Sequence, residues 1–444
     1  MKRRAFVKGM LGTGLVTAGS CVFRMPLLAS ANATGVGQPT VVVIFQRGGC
    51  DGLNTVIPYG DADYYNLRPV SGGVGIPSPD SGAAYSALPL HDHLGLNNDF
   101  FGLHPSMADL MPIYNSQNMA VLPTVHYPDP SRSHFDGQYF IESGFSRANI
   151  GADATNLDGW LNRHLQVKGN NVPLQGVGFG GNLAQSLRGS IPVQSLSSIS
   201  SFNLGLSGAD QQEVIDDVLP VYDELPTPQN SYRELVHKFG KTLFGNLEAV
   251  AAIDTDSYVP ANGANYPSNS YGRRMRQAAQ MIKDPTIGLE VVTIDVGGYD
   301  THSNQGAGEP EGRLSRSLGD FSKGIAALVA DLGDKMDDVI IVTMSEFGRT
   351  AKPNGSAGTD HGNASAWFVL GNKVQGGLYM RDGLAGGGWP GLSDEALFKG
   401  RYLASTVDYR DILGDILFQH LGHSVSNIGA LLPGYTDYTS LNLM

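Results

Sequence analysis

Cysteine is almost missing: Cys21 and Cys50 are the only two in 444 residues. Neither stands in a CxxC pair, so a disulfide framework, a thiolate metal site and a dithiol redox motif are all excluded. Positive charge is short as well. Thirty Lys and Arg face 42 Asp and Glu, for a formal net charge of −12. Such a chain lacks the basic footprint that binding to nucleic acid or to acidic lipid headgroups requires. Long apolar runs are also wanting. The stretch from Met10 to Val22 is short and interrupted by glycine, which does not make a membrane span. No collagen period, heptad run or internal repeat is present.

What is there begins at the N-terminus. Lys2, Arg3 and Arg4 precede Ala5-Phe6-Val7-Lys8, and small-x-small sites follow at Ala29-Ser30-Ala31 and Ala31-Asn32-Ala33. This arrangement resembles a twin-arginine export signal over residues 1–33. A basic start ahead of a buried helix is the bland alternative. The resemblance implies the twin-arginine machinery as a partner, a periplasmic or otherwise exported product, and a mature chain with no transmembrane anchor. Cys21 after Gly19-Ser20 loosely matches a lipid-attachment site. Removal of 1–33 takes five basic residues and no acid, leaving 25 against 42, a net of −17.

Residues 34–444 read as one domain. Runs rich in β-branched residues predict strands at Thr40 to Phe45, Met119 to Val125, Leu289 to Ile294, Val339 to Met344 and Trp367 to Leu370. Apolar residues at helical spacing predict helices at Pro105 to Tyr114, from Phe135, at Trp160 to Leu165, in a region that begins at Asp210 to Tyr222 and resumes at Tyr232 to Ile253, and at Tyr271 to Met281, Leu314 to Leu332 and Asp408 to Leu421. Strand, loop and helix alternate, which predicts an α/β fold with a mostly parallel central sheet and helices on both faces. In such folds ligands gather at the carboxyl ends of strands. The 58 glycines, about twice the usual share, predict many loops, some with unusual backbone angles.

Polar residues able to do chemistry follow those strands. Asp51 lies just beyond the first, where a carboxylate can bind metal, act as a base or close an Asx turn. Its neighbour Cys50 reads as a buried small side chain. Asp300 and His302 sit two apart after Gly297-Gly298, and a bending loop brings both to one ion. Asp360 and His361 adjoin Gly362, and Glu346 follows the Val339 to Met344 strand. Oxygen and imidazole donors together suit Zn or Mn better than a soft-metal site. Arg349 either clamps an anion or pairs with Glu346. His126 and His134 bracket Pro128-Asp129-Pro130-Ser131-Arg132-Ser133. Ser131 or Ser133 is there a helix cap or a nucleophile at a helix start, with Arg132 able to contact an oxyanion. His91, His93 and His104 form a further polar group outside the main set.

Taken together, Arg47-Gly48-Gly49-Cys50-Asp51-Gly52, Tyr127 to His134, Gly298-Tyr299-Asp300-Thr301-His302, Ser345-Glu346-Phe347-Gly348-Arg349-Thr350 and Asp360-His361-Gly362 resemble the DUF1501 family. That family is similar to sulfatases of the alkaline phosphatase superfamily. The resemblance implies a metal site at the carboxyl edge of the sheet. Asp51 matches the early aspartate ligand, Asp300 and His302 a later pair, and His361 the final histidine. Glu346 stands where the superfamily has Asp-His, and Asp360 is an additional candidate. Sulfatases carry a Cys or Ser two residues before Pro-Ser-Arg. Here that position is Pro128, so formylglycine chemistry is not expected, and Ser133 or water becomes the attacking group. The implied function is metal-dependent hydrolysis of phosphate or sulfate esters, with an anionic small molecule or glycan ester as ligand. The rival is a noncatalytic metal- or glycan-binding envelope protein on the same scaffold.

Overall fold

The structure is a computed structural model that describes residues 37–91, 100–147, 158–169, 172–223, 231–381 and 388–444. The described residues all belong to one compact unit that begins after Ala33. The export-like segment, Cys21 and His93 lie outside the described residues.

Among the described residues nine strands form the main sheet. They are β1 (Thr40–Gln46), β2 (Met119–His126), β3 (Gly176–Phe179), β4 (Gln194–Leu196), β5 (Val291–Val296), β6 (Val339–Met344), β7 (Ser365–Leu370), β8 (Gly377–Leu378) and β9 (Val407–Asp408). Their order is β8-β2-β7-β6-β1-β5-β3-β4, with β9 also paired to β2. β1 runs parallel to both neighbours, Ile44 standing beside Ile294 of β5 and Thr343 of β6. β7 is antiparallel to β2 and β6, and every other pairing in this sheet is parallel. This is a mostly parallel α/β arrangement.

The continuous apolar run of β1 follows from its position. Val42 and Ile44 enter one core, while Val41, Val43 and Phe45 enter the other. Successive side chains point to opposite faces, so a strand covered on both sides needs apolar residues throughout. On the first face lie α5 (Ser270–Lys283) and α6 (Arg313–Leu332). Leu314, Leu318, Phe321, Ile325, Leu328 and Leu332 of α6 are buried there, at alternating spacings of four and three that make one helical stripe. On the second face lie α1 (His134–Ser143), α2 (Trp160–Lys168) and α7 (Tyr409–Asp415). A hairpin of α3 (Gly208–Asp223) and α4 (Ser231–Ala251) completes the longer helices. Among the described residues no helix is long and apolar enough to cross a membrane.

Three local expectations are corrected. Pro105 to Tyr114 is not one helix: a 3-10 segment, Pro105–Leu110, is kinked at Met107 (φ −100°, ψ 23°) and precedes a short α-helix, Met111–Asn115. Pro112 has no N–H and fits only a first turn, which sets that break. Asp408 to Leu421 becomes α7 followed by a π-helical turn, Ile416–His420. The strand read at Trp367 to Leu370 starts at Ser365 and runs against its neighbours. That reversal places the start of β7 at the same edge as the ends of β1, β2, β5 and β6. The loop before β7, with Asp360 and His361, therefore joins the loops after the other four.

Candidate metal centre

The loops at this edge are packed backbone to backbone, and glycine permits it. Gly48 has φ +122°, and a Cβ there would lie 2.5 Å from the backbone nitrogen of Asp300. The end of β1 thus rests on the loop after β5. Arg349 ties the remainder together. Its Nε donates to Gly49 O at 2.7 Å, Nη1 to Thr359 O at 3.0 Å and Nη2 to Tyr299 O at 2.9 Å, with Gly48 O a further acceptor. Nη2 also lies 2.8 Å from Asp300 Oδ1. Arg349 is buried, so its guanidinium holds loops and a carboxylate. Its acidic partner is Asp300, not Glu346. Burial pushes the Asp300 carboxyl up, but Arg349 more than offsets this and holds it below the usual carboxylate range.

Three imidazoles surround Asp300. His302 Nε2 is 3.1 Å and His361 Nε2 3.6 Å from Asp300 Oδ1, and His134 Nε2 is 3.7 Å from Oδ2. The two ring nitrogens His302 Nε2 and His361 Nε2 stand 3.0 Å apart. His134, Asp300 and His361 can each offer a ligand atom within 4.8 Å of the others. The far side of each ring explains the arrangement. His361 Nδ1 is 2.8 Å from the carbonyl oxygen of Arg132. A carbonyl only accepts, so Nδ1 carries the hydrogen and Nε2 presents a lone pair. His302 Nδ1 faces Asp360 Oδ1 at 2.9 Å, and His134 Nδ1 faces Glu346 Oε1 at 2.8 Å.

Both carboxyls are held down, and so act as acceptors. Asn354 and then His302 lower Asp360. For Glu346, burial pushes the carboxyl up, while hydrogen bonds, His134's foremost, bring it below its ordinary value. His134 is raised, chiefly by its bond to Glu346. His361 is lowered, first by burial.

Lone pairs aimed at one another repel unless something positive stands between them. Tetrahedral zinc–nitrogen bonds of roughly 2.0–2.1 Å would set ligand atoms about 3.3 Å apart. The spacings here, 3.0 to 3.7 Å, bracket that value. Imidazoles held at Nδ1 by an oxygen, with Nε2 turned inward, are the usual support of a metal site. The donor set of His134, Asp300 and His361, two nitrogens and one carboxylate with His302 beside Asp300 and His361, fits a borderline divalent cation. The side chains remain 23 to 51% exposed, so the centre faces solvent.

Among the residues expected from sequence, Asp300, His302 and His361 come together. Glu346 and Asp360 are adjacent, but they stand behind the rings and orient them. His134 was read only as a bracket to a helix start. Its one sequence signal is its place in a loop following a strand end. Ser133 is the N-cap of α1, accepting from Asp136 N at a long 3.5 Å, and Arg132 lies over the Tyr402 ring and donates to its hydroxyl. Ser131 is committed to Asp136 at 2.8 Å. His126 is buried, and His104 caps the 3-10 segment.

Asp51 is placed differently from these. It precedes a short helix, Gly52–Thr55, without a side-chain cap bond, so the Asx-turn alternative is not realised. Oδ2 lies 2.7 Å from Arg68 Nη1 and accepts from Gln305 Nε2 at 2.6 Å. Asp51 and Arg68 are both at 0% side-chain exposure. Sequence reading had no signal for either partner, since both are remote polar residues in loops.

Cys50 is also fully buried, beside Thr55 Oγ1 at 3.3 Å and Gln46 Nε2 at 3.5 Å. Burial pushes its thiol up to about 12, against an ordinary value of about 8.5. At pH 8 it is therefore both neutral and inaccessible, and thiolate is the reactive form. In a C21A chain, a disulfide reagent is expected to label no thiol in the native state and one after denaturation. Rapid native labelling would contradict this.

Residues 246–412 match the family model described as a protein of unknown function, DUF1501. This is the family whose motifs the chain resembles. The DUF1501 match includes Asp300, His302, Glu346, Arg349, Asp360 and His361, while Asp51 and His134 precede it. No curated protein matches the chain. A structure of Ps i-CgsB in complex with k-i-k-neocarrahexaose shares 12% identity, with 91% of this chain and 75% of that one covered at a TM-score of 0.38. A 2-O GAG sulfatase shares 12% identity, with 91% and 76% covered at 0.33. The phosphonate monoester hydrolase of Agrobacterium radiobacter shares 11%, with 90% and 78% covered at 0.30. At such scores the chemistry rests on the residues themselves.

Proposed function

We propose that this protein is an exported, metal-dependent hydrolase of phosphate or sulfate esters. The observation that carries the reading is the gathering of three imidazole Nε2 atoms and Asp300 at a solvent-facing strand edge, each ring locked from behind. His134, Asp300, His302 and His361 would hold a divalent ion, Zn or Mn by donor type. When bound, such an ion polarises an ester oxygen and lowers the pKa of water. Arg349 positions Asp300, while Glu346, Asp360 and the Arg132 carbonyl keep the rings in one tautomer. Among the described residues the Ser133 hydroxyl has a single long cap bond, which lets it turn toward a substrate, with water as the other attacking group. Arg132 is exposed at the same loop and would meet developing negative charge. Asp51 is assigned a scaffold role through Arg68. The twin-arginine-like segment supports export of the folded chain.

A noncatalytic metal-binding role has one observation in its favour: His302 stands 3.1 Å from Asp300 beside the three clustered donors, and a fourth protein donor would close a tetrahedral site. A panel of phosphate, phosphonate and sulfate monoesters separates the two. Hydrolysis of at least one class is expected, lost on chelation and restored by Zn or Mn. A metal-loaded protein that turns over none of the panel would support the noncatalytic role.

A further inference from the structure

A second cleft opens beside the metal centre. It encloses about 450 Å³ and is bordered by the end of β5 and the first turns of α5 and α6. That volume lies within the roughly 300–1,000 Å³ of small-molecule sites. Its wall at Gly297 and Gly298 leads directly to Asp300. With 3.8 Å between successive Cα atoms, Gly298 and Asp300 are at most about 7 Å apart.

The lining is unusual for so acidic a chain. Arg274, Arg313 and Arg316 all face the cleft. Arg274 donates only to the backbone oxygen of Asp295 and Arg313 only to that of Ser303, while Arg316 makes no side-chain hydrogen bond among the described residues. None of the three forms an ion pair with a described carboxylate. Of the two acids in the wall, Asp295 has a cationic partner and Asp320 a neutral one among the described residues. Asp295 is paired with Arg47 at 2.9 Å, and Asp320 accepts from Asn269 at 2.7 Å. Three guanidiniums without acidic partners among the described residues line one cleft of a chain that carries 42 acids. Guanidinium presents forked donors that match a tetrahedral oxyanion. Ser270 and Ser317 add hydroxyls to the same lining.

We infer that this cleft binds a second sulfate- or phosphate-type oxyanion carried by the substrate, which makes the substrate class a polyanionic ester. The inference rests on the hydrolase reading for the word substrate, while the oxyanion site itself stands on the arginines.

The test is titration calorimetry on the full chain, metal-loaded and chelator-treated, with inorganic sulfate, inorganic phosphate, and a mono- and a disulfated disaccharide. Sulfate and phosphate are expected to bind with or without metal, and R274Q/R316Q to weaken both at least tenfold with metal content and circular dichroism unchanged. The disulfated probe is expected to bind at least tenfold more tightly than the monosulfated one, an advantage lost in the variant. Binding unaltered in the variant, or no oxyanion binding at all, would overturn the site. Inorganic anion binding without a preference for the disulfated probe would overturn the substrate-borne source. Absence of turnover with the binding pattern intact would remove the hydrolase reading alone.

Discussion

Alanine at Asp300 or at His361 is expected to strip the metal from a protein that still folds. Both side chains lie at the surface of the edge, 51% and 23% exposed, so truncation leaves no sizeable cavity; D300A also takes the carboxylate from buried Arg349, which keeps the carbonyls of Gly49, Thr359 and Tyr299 as acceptors. Each removes a donor from a set whose remaining members are pre-oriented. Groups that merely orient a ligand typically contribute about 10- to 100-fold to metal affinity or activity. Loss of a ligand should exceed that, so affinity is expected to fall more than about a hundredfold and any metal-dependent turnover with it. E346Q and D360N serve as the graded comparison. Their expected losses of about 10- to 100-fold follow from a weakened acceptor behind His134 and His302. Elemental analysis after gel filtration, with circular dichroism for the fold, checks the series. Unchanged metal content in both D300A and H361A would sink the assignment. Total metal loss in E346Q would restore Glu346 as a ligand.

The second large effect is on stability. D51A leaves Arg68 buried at 0% exposure without its carboxylate. Removing one partner of a buried ion pair typically costs about 3–5 kcal/mol, because the remaining charge is uncompensated. Arg68 keeps acceptors at Ala351 O, 2.9 Å, and Thr350 O, 2.8 Å, which places the cost toward the lower end. Replacing both partners by apolar residues, as in D51L/R68M, should recover part of it. Urea unfolding gives the stability, and metal content of the folded fraction separates the two roles. The expected pattern is a destabilised D51A that retains its metal. A D51A protein of nearly native stability that loses its metal would instead make Asp51 a ligand, as the family resemblance implies.

Much of the fold is legible along the chain because the signals are local. β1 and α6 announce themselves by an unbroken apolar run and by a helical stripe. Pairing direction is different in kind. Nothing in Ser365 to Leu370 marks it as antiparallel, since direction depends on which neighbours the strand meets. The hairpin of α3 and α4 was read as two helical stretches, and its pairing likewise comes from packing.

The site divides along the same line. Strand-end position and residue type marked Asp300, His302 and His361 as metal-binding candidates, and low cysteine content excluded a thiolate centre. Those are properties of single loops. Glu346 and Asp360 face the Nδ1 atoms of His134 and His302, a placement not legible along the chain because a carboxylate that binds metal and one that holds a ring from behind look alike in sequence. His134 lacked a spaced partner, and the structure supplies Asp300 166 residues later in the chain. Asp51 was drawn to Arg68 by burial, where a lone carboxylate would be costly. By itself, then, the sequence determined the layered α/β class, the acidic surface and the donor types gathered at the strand ends. Only the tertiary structure decided which donors face inward, which stand behind them, and which pair with arginine. Ligation needs atoms within a few ångströms of one point, and that convergence is made by strand order, by one reversed strand, and by loops that touch backbone to backbone.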